Sequence, residues 1–463
     1  MANLIVGKHL CVLPLSDTQV VPHFEIQKSI EQIYNLTKNF YKLERRRFVM
    51  VLGNVIVGQS GGPTAVINSS LAGVFKTAID CGCKKVYGMV NGIQGLSQNK
   101  YIDMSDYIKS NLEIELLKRT PASFLGTCRY RLPSVEVESE VYEKIFMILN
   151  KLDIKYFFYI GGNDSMDTIM KLYNYAQIIG SDIRFIGIPK TIDNDLDMTD
   201  HTPGYGSPSK YIATAIKEII CDANTYITDS ITVVEIMGRN AGWLTASSSL
   251  SRCEDCMGPD LIYLPERVFD YNDFLKKVQE VKKEKKVVTI AVSEGIKTSD
   301  GNYVCEQNRK NNVTDPFGHK LLGGTAMYLS DFLVENTGIK TRGVVFSTLQ
   351  RCASHMVSRC DITEAYMASA DAVKAALDGH TGKMIVFERI SNNPYLISTS
   401  LCDIDVIANK EKCVPDNLIS NDGVGVTKEF EEYARPLIIG ELYPFIVDGL
   451  PRHLHLNDKS INN

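Results

Sequence analysis

The sequence lacks a basic excess, a long hydrophobic run and a convincing export signal. Its 463 residues include 50 Lys and Arg against 55 Asp and Glu, which gives a formal net charge of −5. General nucleic-acid binders carry a basic excess, so this class is disfavoured. No hydrophobic run approaches the roughly 18 residues that a membrane-spanning helix requires, and the first residues make a poor signal peptide. We therefore expect a cytoplasmic protein that binds neither nucleic acid nor membrane.

Cysteine is too sparse and too irregularly spaced for a disulfide scaffold. The chain has 12 cysteines, and Cys253 and Cys256 form a lone C-x-x-C motif without a second pair or a histidine cluster. A structural zinc site would need both halves of such a ligand set. The pattern therefore predicts reduced thiols in a cytosolic enzyme.

The composition and the hydrophobic pattern are those of an α/β protein. Hydrophobic residues make up 44% of the chain and charged residues 23%, with 33 glycines and 16 prolines. From Met50 onward, short apolar runs such as VLGNVIVG, YFFYIGG and IRFIGIP alternate with stretches of helical period such as SPSKYIATAIKEIICDA. Such alternation predicts parallel sheets flanked by helices, with ligands at the carboxyl ends of the strands. The length suits two or three domains.

Residues 1–49 do not share this rhythm of strand, turn and helix. The sequence ERRR at 44–47 lies just before Met50, and its codons can read as a bacterial ribosome-binding sequence ahead of a start codon. We hypothesise that Met50 is the true initiator and that residues 1–49 are not native. The alternative is a genuine extension that packs on the body or serves assembly. An intact mass of the native protein that includes residues 1–49 would contradict the hypothesis.

Glycine pairs follow two of the predicted strands where a helix begins. Gly61 and Gly62 lie in GQSGGPT, and a second pair precedes Asn163 and Asp164 in GGNDS. Adjacent glycines let backbone amides approach an anion, and a helix N-terminus favours negative charge. The first turn lacks the Lys-Ser/Thr of the Walker pattern, so phosphate binding and an ordinary tight turn both stay open. A role as a helix N-cap would by itself explain Asp164.

Charged residues cluster at the ends of later strands. In PKTIDND, Asp193 and Asp195 are two residues apart beside Lys190. Two carboxylates so close are costly unless a cation or a substrate uses them. Solvation in a surface loop is the alternative, but the position at a strand end favours a functional role. Three more segments of this kind are MGR at 237–239, SEG at 293–295, and RGVVFSTLQR, which begins at Arg342 and ends at Arg351.

Together these motifs resemble the 6-phosphofructokinase family. GQSGGPT, LGTCRY, GGNDS, PKTIDND, MGRNAGW, SEG and the TRG…LQR pair occur in the family's order, from about Met50 to beyond Arg359. The resemblance implies two Rossmann-like, three-layer α/β domains with parallel-rich sheets and an active site in the cleft between them. The phosphoryl-donor domain would comprise residues 50–205 and 352–404, and the sugar-phosphate domain residues 206–351 and 405–463.

The resemblance also implies a role for each motif residue. Asp193 would be the general base that takes the proton from the 1-hydroxyl of fructose 6-phosphate, a contribution of ~10²–10⁴-fold. Lys190 and Arg129 would stabilise the transferred phosphoryl group. Gly61, Gly62 and Lys190 would bind the donor, and Asn163 and Asp195 would hold Mg²⁺. The sugar phosphate would be bound by Thr191, Ile192, Asp193, Met237, Gly238, Arg239, Glu294, Arg342, Thr348 and Arg351.

Two residues indicate the phosphoryl donor. The ATP-using branch of the family has GGDGS and PGT where this chain has GGNDS and PKT. Asp164 would place a carboxylate where the α-phosphate of ATP would lie. Two unit charges ~4 Å apart repel by about 4 kcal/mol at an effective dielectric constant of ~20, roughly a thousandfold in affinity. With Lys190 to grip a smaller donor, the chain is similar to the pyrophosphate-dependent branch.

Some positions depart from the family pattern. Asn163 stands where an Asp often helps to hold Mg²⁺, Thr348 where relatives carry His or Tyr, and Ser230 where many carry an Arg that reaches the neighbouring subunit. The alternatives are an ATP-dependent 6-phosphofructokinase, a catalytically weak regulatory subunit of a pyrophosphate-dependent complex, and a sensor of phosphosugars. The resemblance further implies a reversible reaction of glycolysis and gluconeogenesis and a homodimer or homotetramer.

Overall fold

The computed structural model describes residues 52–308 and 322–456. The hypothesis about residues 1–49 concerns a part of the chain outside these ranges. Among the described residues, two sheets and the helices packed on them form the body of the molecule.

The larger sheet has seven strands in the order β11-β10-β5-β4-β1-β2-β3. Its central pairs, from β10 through β5, β4 and β1 to β2, are parallel. The two edge strands, β3 and β11, are antiparallel to their neighbours. The strands are β1 Asn54–Gln59, β2 Val86–Met89, β3 Tyr101–Asp103, β4 Ile154–Gly161, β5 Arg184–Pro189, β10 Lys383–Asn392 and β11 Tyr395–Asp403.

The smaller sheet has four strands in the order β7-β8-β6-β9, and all its pairs are parallel. Its strands are β6 Ser230–Ile236, β7 Leu261–Tyr263, β8 Val287–Ser293 and β9 Lys340–Val345. A separate antiparallel hairpin near the C-terminus pairs β12 Ile446–Val447 with β13 Leu450–Pro451.

Helices connect the strands. The longer ones are α1 Ile67–Asp80, α3 Asn111–Arg119, α4 Ser139–Lys151, α5 Asn163–Ile178, α6 Gly206–Ala223, α8 Tyr271–Glu284, α9 Thr325–Thr337 and α11 Arg359–Leu377. The shorter ones are α2 Gly92–Ser97, α7 Trp243–Ala246, α10 Leu349–Cys352, α12 Ile404–Ile407 and α13 Lys428–Ala434.

The strand composition explains why both sheets are parallel-rich. Strands β4 and β5 read as nearly continuous apolar runs, and Phe157, Phe158 and Phe185 are fully buried. A strand that is buried on both faces needs helices above and below it, and crossover helices provide this cover. The α/β fold class with parallel-rich sheets is thereby confirmed.

The element bounds agree with the expected rhythm except at the C-terminus. The apolar runs VLGNVIVG and IRFIGIP contain β1 and β5, and the stretch SPSKYIATAIKEIICDA lies within α6. The long β10–β11 pairing was not expected, because its strands carry many polar and charged residues. Within the described ranges, no helix has the length and hydrophobicity needed to cross a membrane.

Candidate active site

A cavity of about 570 Å³ opens where strands of both sheets end. Its walls are the turns that follow β1, β4 and β5 of the larger sheet and β6 and β8 of the smaller one. Fourteen of the expected site residues line it: Gly61, Gly62, Arg129, Asn163, Asp164, Lys190, Thr191, Ile192, Asp193, Asp195, Met237, Arg239, Glu294 and Arg351. The carboxyl ends of parallel strands therefore bring together motifs that are far apart in sequence.

The glycine turn after β1 leaves room for two cations. Gly61 has a φ of +75°, which favours glycine, and a Cβ built there would lie 3.4 Å from Nζ of Lys190. A Cβ on Gly62 would lie 3.4 Å from Nη1 of Arg351. The Lys190 ammonium donates a hydrogen bond to the carbonyl of Gly62 at 2.8 Å. The turn thus places a lysine and an arginine next to the half-buried backbone of the two glycines, an arrangement suited to binding an anion.

The turn after β5 carries the acid–base groups. Burial lowers the pKa of Lys190 to about 8, although Asp193 and Asp195 raise it in part. Burial, and then the nearby Glu294, raise the pKa of Asp193 to about 6. Burial also raises the pKa of Asp195 to about 7, with Asp193 as the next cause. Carboxylates tuned towards neutral pH suit proton transfer.

Local hydrogen bonds fix the shape of this turn. The amide of Asp193 donates to Oγ1 of Thr191 at 3.1 Å. Asn194 adopts a φ of +55°, and its side chain donates to the hydroxyl of Tyr433 at 3.0 Å. The amide of Lys412 donates to the carbonyl of Asp195 at 2.8 Å. The backbone of the turn is therefore held by contacts on both sides of Asn194.

Arginines and an acid face this turn across the cavity. Burial and the neighbouring Arg129 lower the pKa of Arg351, which indicates that two guanidinium groups share one region. Burial raises the pKa of Glu294 to about 7, and its Oε1 accepts from the amide of Gly238 at 3.4 Å. Asp193 and Glu294 raise the pKa of Arg351 in part. Two guanidinium groups in one region suit the binding of a strongly charged anion.

Two buried oxygens fit a divalent cation. Oδ1 of Asn163 and Oδ1 of Asp195 are buried and have no hydrogen-bond partner among the described residues. An unpaired buried acceptor is costly unless something binds it. The described ranges hold no cluster of three or more His, Cys, Asp or Glu side chains that could bind a metal alone. Mg²⁺ commonly takes one or two protein oxygens and completes its shell with phosphates and water, so this pair fits Mg²⁺.

The sequence and the structure also match known proteins. Residues 54–376 match the family model described as Phosphofructokinase. The chain belongs to the phosphofructokinase family. It is 38% identical to the pyrophosphate–fructose 6-phosphate 1-phosphotransferase of Halomonas elongata, over 87% of this chain and 96% of that one. The corresponding protein of Methylococcus capsulatus is 39% identical, over 88% and 96%. The solved structure of the pyrophosphate-dependent phosphofructokinase from Nitrosospira multiformis is 36% identical with a TM-score of 0.80, and covers 89% of this chain and 98% of that one.

Three expected residues do not line the cavity of this family member: Gly238, Arg342 and Thr348. The amide of Gly238 nevertheless donates to Glu294, which does line it. Arg342 is on β9, with half of its side chain exposed, and its Nη1 lies 3.5 Å from Oδ2 of Asp222. Thr348 is exposed at the start of α10. The cavity lining of this chain therefore contains Arg351 but not Arg342, and a role of Arg342 in binding the sugar phosphate stays a prediction. Arg342 lies along β9, whereas Arg351 lies beyond the turn that follows this strand.

The cavity also contains residues that the motifs did not indicate. Asn409, Lys410 and Glu411 line it from a segment late in the chain. The side chain of Asn409 donates to Asp167 of α5 at 3.3 Å, and that of Asn240 donates to Oε1 of Glu411 at 3.1 Å. The segment thus joins the turn after β6 to the start of α5. Its sequence, ANKEK, contains no glycine turn and does not follow directly after a strand. Nothing in the sequence therefore indicated that it lines the cavity.

Proposed function

We propose that the protein catalyses the reversible, Mg²⁺-dependent transfer of a phosphoryl group from pyrophosphate to the 1-hydroxyl of fructose 6-phosphate, giving fructose 1,6-bisphosphate and phosphate. The observation that carries the proposal is the pairing of Asp164 with the buried Lys190 on the walls of one cavity. The printed names of the relatives at 37–39% identity support it. We assign this diphosphate–fructose-6-phosphate 1-phosphotransferase to glycolysis and gluconeogenesis.

In the forward direction, Asp193 removes the proton from the attacking hydroxyl. Its raised pKa, to about 6, leaves it ionised at neutral pH but basic enough to accept a proton,. The Thr191 hydroxyl holds the amide of Asp193, and the side chains of Met237, Arg239 and Glu294 orient the sugar from the opposite wall. The role of the acid is thus to activate one hydroxyl in a fixed position.

The transferred phosphoryl group is stabilised by cations that do not have to move. Lys190 is 2% exposed and is fixed by its bond to the Gly62 carbonyl, and Arg129 lines the same cavity. A preorganised charge in a site that excludes water is worth more than the same charge in bulk solvent. Arg351, next to Gly62, would hold the phosphate of the sugar.

Oδ1 of Asn163 and Oδ1 of Asp195 would hold Mg²⁺, directly or through water. The metal ion would neutralise the charge of the pyrophosphate. Asn163 supplies a neutral amide oxygen, so the metal site depends on Asp195 for its protein charge. One neutral and one charged protein ligand fit a cation that is bound mainly through the pyrophosphate.

We assign residues 50–205 and 352–404 to the donor domain, and residues 206–351 and 405–463 to the sugar-phosphate domain. Support comes from the strands: those of the seven-stranded sheet fall within the first set and those of the four-stranded sheet within the second. We further propose a cytoplasmic homodimer or homotetramer with no nucleic-acid or membrane partner. Large apolar side chains are exposed close together around the C-terminal hairpin, at Tyr443, Ile446, Val447 and Leu450, and a contiguous exposed apolar patch is typical of a surface that another subunit covers.

Replacement of the base tests the proposal. Asp193→Ser should lower kcat by about 10³-fold or more, because the hydroxyl loses its base and the site its charge, while binding of fructose 6-phosphate changes little. Asp197→Ser is a matched control in the same loop, since Asp197 bonds to the amide of Met198 and does not line the cavity. Turnover would be followed by phosphate release, and binding by calorimetry. Full activity of Asp193→Ser would contradict the proposal, and a phosphosugar sensor would bind sugar phosphate equally well in all three proteins without turnover.

A further inference from the structure

A buried histidine lies between two carboxylates behind the active-site turn. Nδ1 of His201 lies 2.8 Å from Oδ2 of Asp200, and Nε2 lies 2.7 Å from Oε2 of Glu364. The ring is 2% exposed and stacks on Phe387 with 4.9 Å between ring centroids. His201 does not line the cavity, and no step of the proposed reaction uses it.

The partners of the ring determine its protonation. An ionised carboxylate only accepts hydrogen bonds, so both ring nitrogens must carry hydrogen, which makes the ring an imidazolium. Burial alone would lower the pKa of His201, but Glu364 and Asp200 outweigh it and raise the pKa to about 9. A neutral ring has only one N–H group. One of the two carboxylate oxygens that face the ring would then lose its hydrogen bond from the ring, which is costly.

The neighbouring charged groups complete this arrangement. Arg389 of β10 donates from Nη2 to Oδ2 of Asp200 at 2.8 Å, and the Tyr395 hydroxyl donates to Oε1 of Glu364 at 2.6 Å. The ammonium of Lys412 donates to the carbonyls of residues 199 and 200 at 2.8 and 2.9 Å. Cys360 and Asp361 on α11 also interact electrostatically with Glu364. Each carboxylate that faces the ring therefore has a further donor.

Hydrogen bonds connect this cluster to the turn that carries Asp193. The amide of Thr202, the residue after His201, donates to Oδ1 of Asn194 at 3.0 Å. The hydroxyl of Thr202 donates to the carbonyl of Thr191 at 3.0 Å. The hydroxyl of Tyr433 donates to the carbonyl of Asp200 at 2.8 Å and accepts from Asn194. The backbone at 200–202 thus holds the residues on both sides of Asp193.

We propose that His201, held as an imidazolium between Asp200 and Glu364, is a positioning residue that fixes the turn bearing the general base. The inference rests on the proposed function, because its effect is exerted through Asp193. It ties α11 and β10 to the acid–base turn by charge, whereas the substrate contacts lie on the other side of that turn. A purely structural contact would affect stability alone.

The first test compares kcat with KM in His201→Gln. Glutamine keeps one donor but presents an acceptor to the second carboxylate, so the turn should shift. We expect kcat with pyrophosphate to fall about 10- to 100-fold, the cost of an ångström-scale displacement of a reacting group, while KM for both substrates stays within about threefold. The thermal midpoint and circular dichroism establish that the variant is folded at the assay temperature.

The double variant His201→Gln/Glu364→Gln supplies the rescue. The amide of Gln at 364 can donate to the amide oxygen at 201, which restores both bonds without charge, and its oxygen still accepts from Tyr395. We expect the double variant to recover at least about tenfold in kcat over His201→Gln. If the single variant keeps the kcat of the wild type, or the double variant shows no recovery while folded, the positioning role is wrong.

A spectroscopic measurement tests the same inference without turnover. The ¹⁵N shifts of the His201 ring should report two protonated nitrogens at pH 7 in the wild type. A neutral ring at pH 7 would overturn the inference. Failure of the proposed function is a separate outcome, since it would show as wild-type protein that is inactive with pyrophosphate whatever the state of the ring.

Discussion

At the scale of single residues, the proposed choice of donor depends on the sign of two charges. Asp164 lies in the first turn of α5, where the helix dipole favours a negative charge,. It therefore occupies a place that could otherwise attract a phosphate. Lys190 supplies a buried cation in the same cavity. In the proposed function, the carboxylate excludes the longer donor and the ammonium binds the compact one.

The double substitution Asp164→Gly with Lys190→Gly tests this pairing. Removal of the carboxylate lifts a repulsion of about 4 kcal/mol on ATP, and removal of the ammonium weakens the grip on pyrophosphate. We expect kcat/KM with pyrophosphate to fall by about 10²-fold or more and kcat/KM with ATP to rise. Each single variant is the control for the other. A double variant whose donor preference equals that of the wild type would refute the assignment.

The pH profile follows from the same group of residues. Asp193 must be ionised to accept a proton, so kcat/KM should fall as the pH drops below about 6,. Lys190 must be protonated to stabilise the phosphoryl group, so kcat/KM should fall as the pH rises above about 8. Initial rates from pH 5 to 9.5 would show a bell with its maximum between these values.

Lys190→Arg identifies the alkaline limb of that bell. Arginine stays protonated beyond pH 12, so the fall in kcat/KM above pH 8 should move upward or vanish in this variant, at a lower maximal rate. An alkaline limb that stays in place would mean that another group titrates there.

Much of the site at this scale was predictable from the sequence, and the exceptions have physical reasons. Twelve of the fourteen motif residues that line the cavity lie in the segments directly after strands, whereas Arg129 follows α3 and Arg351 lies in α10. Arg342 does not join them, because position in a motif does not say which way a strand residue faces. His201 and Glu364 were missed because a buried pair 163 positions apart leaves no local pattern.

At the scale of elements, the junction of β4 and α5 positions the donor site. Gly161 ends the strand, and the chain turns at once into the helix that carries Asn163 and Asp164. A Cβ built on Gly161 would lie 1.9 Å from Oγ of Ser165 and 2.5 Å from its Cβ. The glycine is needed for this close approach of helix and strand.

Gly161→Ala should therefore destabilise the protein by about 1–3 kcal/mol, the usual cost of overpacking. Gly162→Ala is a matched control for stability, because its Cβ would be no closer than 3.7 Å to its neighbours. Urea unfolding measured by fluorescence would give both values. Equal stability of the two variants would show that the junction can relax.

The elements themselves were largely predictable, whereas their C-terminal partners were not. Apolar runs and helical periods located β1, β4, β5 and α6, because buried parallel strands leave a continuous signal. Strands β10 and β11 carry polar residues on their exposed faces and were not predicted from the sequence. The segment at 409–411 is irregular, and only the fold brings it to the cavity.

At the scale of the whole molecule, the site exists because two sheets end at one cavity. The larger sheet contributes the turns with Asp164 and Lys190, and the smaller one the turns with Arg239 and Glu294. Two substrates can therefore approach from separate walls and meet at Asp193. The resemblance to the family implied this arrangement. A sequence pattern alone does not show that the two walls of the cavity lie next to each other.

The ratio of kcat/KM for pyrophosphate and for ATP, with fructose 6-phosphate and ~1 mM Mg²⁺, tests the proposed choice of donor most directly. We expect turnover with pyrophosphate and a preference of about a thousandfold or more over ATP. Equal or better turnover with ATP would contradict the roles of Asp164 and Lys190. Absence of turnover with either donor would instead favour a regulatory subunit.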